Sequence, residues 1–374
     1  MPGVPTDLAR GVLRAPAEVI ERLRRDVERN ALRARNGVKL VAGIGRPNLG
    51  QTPRALVWSS GHAQLWRYQS DRVSRRPPLL LVYSLVSKSY VLDLQPGNSF
   101  VEHLQSAGFD VFLLDWVPAD GRHANERLEN YADHYLPEAV RKTLESAGNG
   151  ETVNLFGYCL GGVLTLLYAA HHPEAPLRSL TVMATPVDFS KFELARELGK
   201  DGRLPVEALL DENGNVPAGT IRQFFRLLKP TAEVRQYATL LDRIWDDEFV
   251  NSYQALFGWS DDHVALPGAA AGEILEMIVR ENGLIHGTVR LRGDTVHLED
   301  IRVPMLTIIA ERDHIVPEPV AAPLPDLVGS KESEVLRLNA GHVGLIVGRT
   351  AARVTIPRIV EFLTLRSESL AAAA

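Results

Sequence analysis

Cys159 lies in the segment LFGYCLGG and is the only cysteine among 374 residues. Glycines stand two residues to either side of it, and the apolar run ETVNLFGY precedes it. A thiol between two glycines at the end of a buried strand is a candidate nucleophile, because a tight turn at that point exposes the sulfur. The alternative is a buried cysteine that acts as a small apolar side chain, as lone cysteines commonly do.

The segment GVLTLLYAAHH begins three residues after Cys159 and is predicted to be a helix. Its N-terminal amides and its dipole stabilise negative charge, which favours a thiolate at Cys159 over a thiol. The order strand, G-x-C-x-G, helix is typical of the nucleophile elbow of the α/β-hydrolase fold, with cysteine in the place that serine usually holds. This context favours a nucleophile over a buried structural cysteine.

Two further residues complete a candidate catalytic triad in the chain order nucleophile, acid, base. Asp313 ends the run TIIAERD, and His342 ends the run VLRLNAGH. We expect both to lie beside Cys159, because the carboxyl ends of parallel strands meet at one edge of a sheet. Asp313 is then the orienting acid and His342 the general base. His314 is the second candidate for the base, although its position next to the acid suggests that it supports the loop.

An oxyanion hole needs two backbone N–H groups near the nucleophile. The residue after the nucleophile, Leu160, supplies one. The loop after the first buried strand supplies the other, from Leu85, Val86 or Ser87, and Val86 is the working choice. The sequence does not decide among these three.

The elements that must position these residues follow an alternating β–α pattern. Continuous apolar runs of the kind found in strands buried on both faces occur at PPLLLVYSLV (77–86), DVFLLDW (110–116), ETVNLFGY (151–158), SLTVMAT (179–185), VPMLTIIAERD (303–313) and SEVLRLNAGH (333–342). A helix is predicted around Ser99 to Ala107, and ALVWSSGHAQLWRY is predicted to form a hairpin or a pair of strands at the sheet edge. The fold class is therefore α/β, with a mostly parallel central sheet.

The predicted domain organisation has three parts. Residues 1–50 form an N-terminal helical segment and linker, in which apolar residues recur at helical spacing over 7–42 among many arginines. Residues 51–186 and 301–374 form the α/β-hydrolase core. Residues 187–300 form a large, mainly helical cap, with helices predicted at FELARELG, TIRQFFRLL, LLDRIWDDEFVNSYQALFGW and AAGEILEMIV. The basic helix is expected to pack an apolar stripe on a core, and the alternative is a docking surface.

Composition excludes several classes of protein. Hydrophobic residues make up 45% of the chain, charged residues 23%, and the net charge is −5, so no global charge favours nucleic acid. A single cysteine forms no internal disulfide, which suggests the cytoplasm. No run of 18 to 20 apolar residues is present, so we expect no membrane span. The spacing of potential ligands shows no metal motif, and we expect no metal or redox cofactor.

The chain resembles the polyhydroxyalkanoate synthases, especially the short class III catalytic subunits. The resemblance rests on SYVLDLQPGNSF, NLFGYCLGG, AERDHIVP and GHVGLIVG, and it extends over most of the chain from about residue 30. Two positions depart from the pattern: Tyr83-Ser84 stands where many longer synthases have two prolines, and RARNGVKLVAG looks more like those longer enzymes.

The resemblance implies the function and the partners. It implies that (R)-3-hydroxyacyl-CoA is polymerised into polyester with release of CoA, through a thioester on Cys159, with His342 as base and Asp313 as acid. Asp313 is an alternative base for the incoming 3-hydroxyl. The CoA thioester is a substrate, so no cofactor is implied. The enzyme is expected to act as a homodimer or with a second synthase subunit, in the cytoplasm at the surface of polyester granules.

Two alternatives stay open. GYCLGG is also similar to the elbow of the dienelactone hydrolases, in which water resolves the acyl-enzyme, so a cysteine hydrolase or thioesterase is the first alternative. Those enzymes place the acid soon after the nucleophile, whereas a long insertion separates Asp313 from Cys159 here. A granule-associated subunit without catalytic activity is the second.

Overall fold

The computed structural model describes residues 17–42, 47–148, 150–193, 205–228 and 232–370. Its centre is an eight-stranded sheet. In chain order the strands are β1 (Arg54–Ser60), β2 (Ala63–Tyr68), β3 (Leu79–Val82), β4 (Val111–Trp116), β5 (Val153–Tyr158), β6 (Leu177–Met183), β7 (Met305–Ala310) and β8 (Ser333–Leu338).

The strand order in space is β1-β2-β4-β3-β5-β6-β7-β8. β1 pairs with β2, and β2 with β4, in antiparallel fashion, whereas the other neighbouring pairs are parallel. The register aligns Val82 of β3 with Gly157 of β5, so the elbow begins at the level where β3 ends. The mostly parallel α/β sheet predicted from the sequence is confirmed, as is the hairpin at its edge.

Helices connect the strands of the sheet. The α-helices run over Ala17–Ala42, Phe100–Ser106, Leu128–Asn130, Leu136–Ala147, Leu160–His171, Ala218–Leu228, Ala232–Arg243, Asp247–Asp261, Gly268–Glu273, Gly283–His286, Glu318–Ala321, Leu324–Leu327 and Ile356–Thr364. Three π-helical segments continue helices, at Tyr131–Tyr135, Ile274–Arg280 and Ala351–Thr355. Short 3-10 turns lie at Ser89–Asp93, Phe189–Lys191, Val206–Leu209, Leu298–Asp300 and Val343–Leu345. Two-residue strand pairs join Arg75–Arg76 to Glu368–Ser369, Asn215–Val216 to Leu266–Pro267, and Arg290–Leu291 to Asp294–Thr295.

The predicted strand over 77–86 is shorter in the structure than its apolar sequence suggests. It ends at Val82, and the chain then turns into a loop although Tyr83, Ser84 and Leu85 are all buried. Apolar character reports burial, which a buried loop shares with a buried strand. The helix predicted around Ser99 is confirmed, and the Ser99 hydroxyl caps it by accepting the Glu102 N–H at 3.0 Å.

The contacts divide the chain into two compact units, Met1–Pro47 with Thr231–Ala255, and Asn48–Pro230 with Leu256–Ala374. The predicted boundaries near residues 50, 186 and 300 stay predictions. In the smaller unit, Asn36 is buried and its amide donates to Ile244 O and to Asp247 Oδ1, both at 2.8 Å. Arg29 stacks on the ring of Trp245 at 4.4 Å.

The basic N-terminal helix differs from its prediction in what it exposes. It is helical over Ala17–Ala42, and residues 7–16 of the prediction lie outside the described residues. The expected burial of its apolar stripe is wrong at Leu23 and Val27, which are 59% and 67% exposed. Helical spacing places residues on one face, but only a packing partner buries that face.

The cap helices are present where the structure describes them. Ala218–Leu228, Asp247–Asp261 and Gly268–Glu273 correspond to three of the predicted segments. Most of FELARELG, predicted helical, lies outside the described residues. Of the helices that the structure describes, none combines the length and the apolar character that a membrane crossing requires.

Candidate active site

Cys159 occupies a strained turn between β5 and the helix Leu160–His171. Its φ is 55° and its ψ is −123°, a conformation that costs free energy and is typical of functional positions. Its N–H donates to Met183 O at 2.9 Å, and its carbonyl accepts the Gly162 N–H at 2.9 Å. The two hydrogen bonds hold the turn, so the thiol is presented at the carboxyl edge of the sheet.

The glycines around Cys159 are required by close packing. A Cβ at Gly161 would lie 2.8 Å from the carbonyl carbon of Tyr83, and one at Gly157 would lie 2.6 Å from Gly162 Cα. Both are closer than side chains tolerate, and backbone neighbours cannot rotate away. The sequence G-x-C-x-G is therefore a consequence of how tightly this turn sits against β3.

His342 and Asp313 form a buried pair beyond the ends of β8 and β7. The Nδ1 of His342 lies 2.6 Å from Asp313 Oδ2, and the two residues are 4% and 7% exposed. Asp313 Oδ1 accepts the N–H groups of Ile315 and Val316 at 2.8 and 2.9 Å. These bonds orient the carboxylate, and the carboxylate in turn orients the imidazole.

His342 also interacts electrostatically with Cys159. Burial by itself lowers the pKa of a histidine, but the interactions with Asp313 and Cys159, including the hydrogen bond to Asp313, outweigh burial. Together they raise the pKa of His342 from 6.5 to about 10. The arrangement therefore favours the protonated form of His342 at neutral pH. The structure brings together all three residues of the candidate triad.

Two buried tyrosines, which the sequence analysis did not place in the site, lie beside this pair. Tyr158 lies with its ring centroid 4.9 Å from that of His342, and its hydroxyl donates to His342 O at 3.4 Å. Tyr83 stacks on Tyr158 at 5.8 Å. Burial raises the pKa of both hydroxyls, so both stay neutral. Tyr158 adjoins Cys159 in sequence, which is the only signal that could have indicated its position.

The two expected oxyanion donors lie in different settings. Leu160 is the first residue of the helix after Cys159, where N–H groups have no partner within the helix. Val86 lies in the loop after β3, and its carbonyl binds the His263 ring at 3.0 Å and the Val264 N–H at 3.3 Å. These contacts hold the loop in place, but the choice among Leu85, Val86 and Ser87 stays a prediction.

Residues of the long insertion close over this loop. The Trp259 indole donates to Lys88 O at 2.7 Å, and the Tyr90 hydroxyl donates to Asp262 at 3.1 Å. The ring of Phe225 stacks on His263 at 5.0 Å. Because burial disfavours the charged form, the pKa of His263 is lowered. The insertion and the loop after β3 are therefore held together by directional bonds.

Cys159 is partly buried, in apolar surroundings. It packs with Phe192 and Ile315 against a small cluster that includes Val316 and Val320. His314 is half-buried beside Asp313, but it is the ring of His342 that binds the carboxylate. A nucleophile, an oriented base and an apolar setting suit acyl transfer in which water is kept away.

Two family models match this chain. Residues 77–349 match the family model of the alpha/beta hydrolase fold. Residues 16–104 match the model described as "Poly-beta-hydroxybutyrate polymerase (PhaC) N-terminus". A hydrolase structure from Pseudomonas aeruginosa is similar with a TM-score of 0.51 at 17% identity, covering 84% of this chain and 99% of that one, which bears on the fold alone.

Two curated relatives are named "Poly(3-hydroxyalkanoate) polymerase subunit PhaC". The protein from Allochromatium vinosum is 32% identical over 85% of this chain and 90% of its own length. The protein from Haloferax mediterranei is 30% identical over 87% of this chain, which spans 66% of that relative.

Proposed function

The chain belongs to the poly(3-hydroxyalkanoate) polymerase PhaC family, within the α/β-hydrolase fold, and we propose that it polymerises (R)-3-hydroxyacyl-CoA through a thioester on Cys159. One observation carries this proposal: the imidazole of His342 binds Asp313 at 2.6 Å and also interacts with Cys159 at the elbow. The base and the nucleophile are thus next to each other before substrate arrives.

In the proposed acylation step, the Cys159 thiolate attacks the thioester carbonyl carbon. A C–S bond forms to Cys159, the C–S bond to CoA breaks, and the His342 imidazolium gives its proton to the departing CoA thiolate. Exchange of one thioester for another is nearly neutral in free energy, so the acyl group stays activated. A serine ester would have lost that activation, which gives a reason for cysteine at this position.

In the proposed transfer step, neutral His342 accepts the proton of the 3-hydroxyl of the next hydroxyacyl group. The oxygen attacks the cysteinyl thioester, a C–O bond forms, and the C–S bond to Cys159 breaks. The products are a lengthened ester and the original thiolate and imidazolium. Asp313 orients His342 in both steps and stabilises its charge. Leu160 N–H, with one N–H from the loop after β3, would stabilise the oxyanion.

The apolar cluster against which Cys159, Phe192 and Ile315 pack supports polymerisation over hydrolysis, because water competes with the hydroxyl for the acyl-enzyme. We propose that these steps use no metal or redox cofactor, since Cys159, His342, Asp313 and backbone amides supply every charge and proton that the steps require.

We propose that the chain acts with a second chain, as a homodimer or beside another synthase subunit, at the surface of polyester granules in the cytoplasm. The relatives are named polymerase subunits, which supports an assembly. Light scattering after size exclusion, measured on the same sample as turnover, tests it. Full activity at a mass of one chain would contradict the assembly.

The activity is tested with (R)-3-hydroxybutyryl-CoA. CoA release is followed while the acyl product is separated into insoluble polyester and free acid, and longer hydroxyacyl chains are run in parallel. Polyester is the expected product. Free acid as the main product would replace the synthase with a cysteine hydrolase. An unreactive Cys159, neither acylated by substrate nor alkylated by iodoacetamide, would support a subunit without catalytic activity.

A further inference from the structure

A second buried cluster of titratable side chains lies away from Cys159, on the other side of β3. It consists of His62, His123 and Glu126, which together offer three ligand atoms within 4.8 Å of one another. His62 is the second residue of the turn between β1 and β2, and the other two lie in the loop after β4. The first residue of β2, Ala63, pairs with the last residue of β4, Trp116, so the sheet register brings the two loops together.

The cluster is buried and contains donor atoms with few other partners. His62 and His123 are 1% and 6% exposed. His62 Nδ1 and Glu126 Oε2 face each other at 3.0 Å, and neither has another hydrogen-bond partner among the residues that the structure describes. Within the same residues, neither Lys nor Arg pairs with Glu126. A metal ion bound by His62 Nδ1 and Glu126 Oε2 would satisfy both atoms together.

The remaining polar atoms of the cluster are already bonded in the way that metal ligands are. The Tyr131 hydroxyl lies 3.0 Å from His62 Nε2, and the Tyr135 hydroxyl donates to Glu126 Oε1 at 2.7 Å. His123 Nδ1 accepts the Asp120 backbone N–H at 3.2 Å and lies 3.1 Å from the Asp120 carboxylate. Outer partners of this kind orient imidazole and carboxylate ligands around a metal and are a regular part of such sites. Tyr131 and Tyr135 begin and end a π-helical segment, a geometry frequent at functional sites.

We propose that His62, His123 and Glu126 bind one divalent transition-metal ion, with Zn²⁺ as the first candidate. Two imidazoles and a carboxylate are ligands that Zn²⁺ prefers, and three protein ligands leave a fourth position for water. Ligand atoms about 2.1 Å from one ion lie at most about 4.2 Å apart, so the present separations need only a small closing movement. The ion would tie the β1–β2 turn to the loop after β4. It has no part in the proposed acyl transfer.

Another cluster of potential metal ligands in the same protein serves as the matched control. Asp133, His171 and His172 also offer three ligand atoms within 4.8 Å. There, however, Arg292 Nε lies 3.4 Å from Asp133 Oδ2 and supplies a positive charge. His172→Gln removes a donor from this control cluster and is expected to leave metal binding unchanged.

The test uses the full chain, purified without a histidine tag and treated with a chelator. Zn²⁺ and, separately, Co²⁺ are titrated in, and metal content after desalting, thermal stability and the visible Co²⁺ spectrum are recorded. We expect about one equivalent per chain, a rise in Tm, and the intense absorption of four-coordinate Co²⁺. Glu126→Gln should abolish stoichiometric binding.

Tyr135→Phe keeps all three ligands and should weaken affinity roughly 10- to 100-fold, the effect of losing an outer partner. It also keeps the test decisive if Glu126→Gln fails to fold. Wild-type protein without bound metal or Tm rise would overturn the proposal and leave His62 simply as the side-chain partner of Glu126. Equal binding by wild-type protein and Tyr135→Phe would also overturn it.

Discussion

Two histidine–carboxylate pairs lie at the same edge of the sheet, and only one of them is a candidate for catalysis. In both, the Nδ1 of a histidine faces a carboxylate: His342 with Asp313 at 2.6 Å, and His62 with Glu126 at 3.0 Å. His342 also interacts electrostatically with Cys159, whereas the Nε2 of His62 lies 3.0 Å from the hydroxyl of Tyr131. A tyrosine kept neutral by burial is a poor nucleophile. A histidine–carboxylate pair is a candidate catalyst only where a thiol lies beside the histidine.

The carboxylates of the two pairs are held differently as well. Asp313 is fixed by two backbone N–H groups, which remain in place through a reaction. Glu126 is fixed by the side chain of Tyr135 and faces a second histidine. Rigid backbone donors suit a group that must orient a proton carrier, and side-chain donors suit a group that completes a ligand set.

The largest expected effect is the loss of the nucleophile. Cys159→Ala should lower CoA release from (R)-3-hydroxybutyryl-CoA by at least about 10³-fold, because no other side chain replaces a catalytic nucleophile. The control is His172→Gln, which lies outside both pairs. Turnover that persists in Cys159→Ala would remove the assignment of the site.

Glutamine at each histidine tests the difference between the pairs directly. His342→Gln should lower CoA release by about 10³-fold or more, because the triad loses its proton carrier. His314→Gln should lower CoA release by less than one tenth of the factor that His342→Gln causes. His62→Gln should mainly change the stability of the fold, which is measured as the midpoint of urea unfolding. If His314→Gln proved more damaging than His342→Gln, the choice of base would be wrong.

The raised pKa of His342 predicts a pH dependence of stability. The pKa lies near 6.5 in the unfolded chain and about 10 in the folded one, so protonated His342 stabilises the fold fully below pH 6.5. This contribution is lost as pH rises through about 10. Cys159 is one of the groups that raise the pKa of His342, so in Cys159→Ala the loss should move to lower pH. Urea unfolding of both proteins between pH 6 and 10 measures it, and identical profiles would contradict the proposed charge pair.

A glycine beside the second pair provides a smaller effect with a matched control. Gly61 and Gly97 both have positive φ, but only at Gly61 would a Cβ meet other atoms, those of Tyr135 and Glu126. Gly61→Ala should therefore destabilise by about 1–3 kcal/mol more than Gly97→Ala, the usual cost of overpacking. Equal urea midpoints would show that Tyr135 moves freely and is not held against Glu126.

Much of the fold was predictable because its signals are local. The apolar runs indicated six parallel strands, ALVWSSGHAQLWRY indicated the hairpin, and Ser99 indicated a helix start. The N-terminal helix shows the limit of local signals. The spacing of its apolar residues predicted an apolar stripe. Spacing could not show whether another element covers Leu23 and Val27, and both are exposed.

The candidate triad was predictable for a related reason. Residues at the ends of parallel strands converge whatever the length of chain between them, so order along the sequence was enough to select Cys159, Asp313 and His342. The position of Tyr83 and Tyr158 beside the site was not predictable, because the end of β3 at Val82 depends on how closely the elbow packs against it.

The sequence by itself determined the elbow, the order of the strands along the chain and the family, since these depend on residue types at short spacing. Only the tertiary structure decided that His62 joins His123 and Glu126. The spacing of His123 and Glu126 is local, but His62 reaches them through the antiparallel pairing of β2 with β4. Strand pairing across a sheet is set by the packing of the whole core, and no short stretch of sequence contains that information.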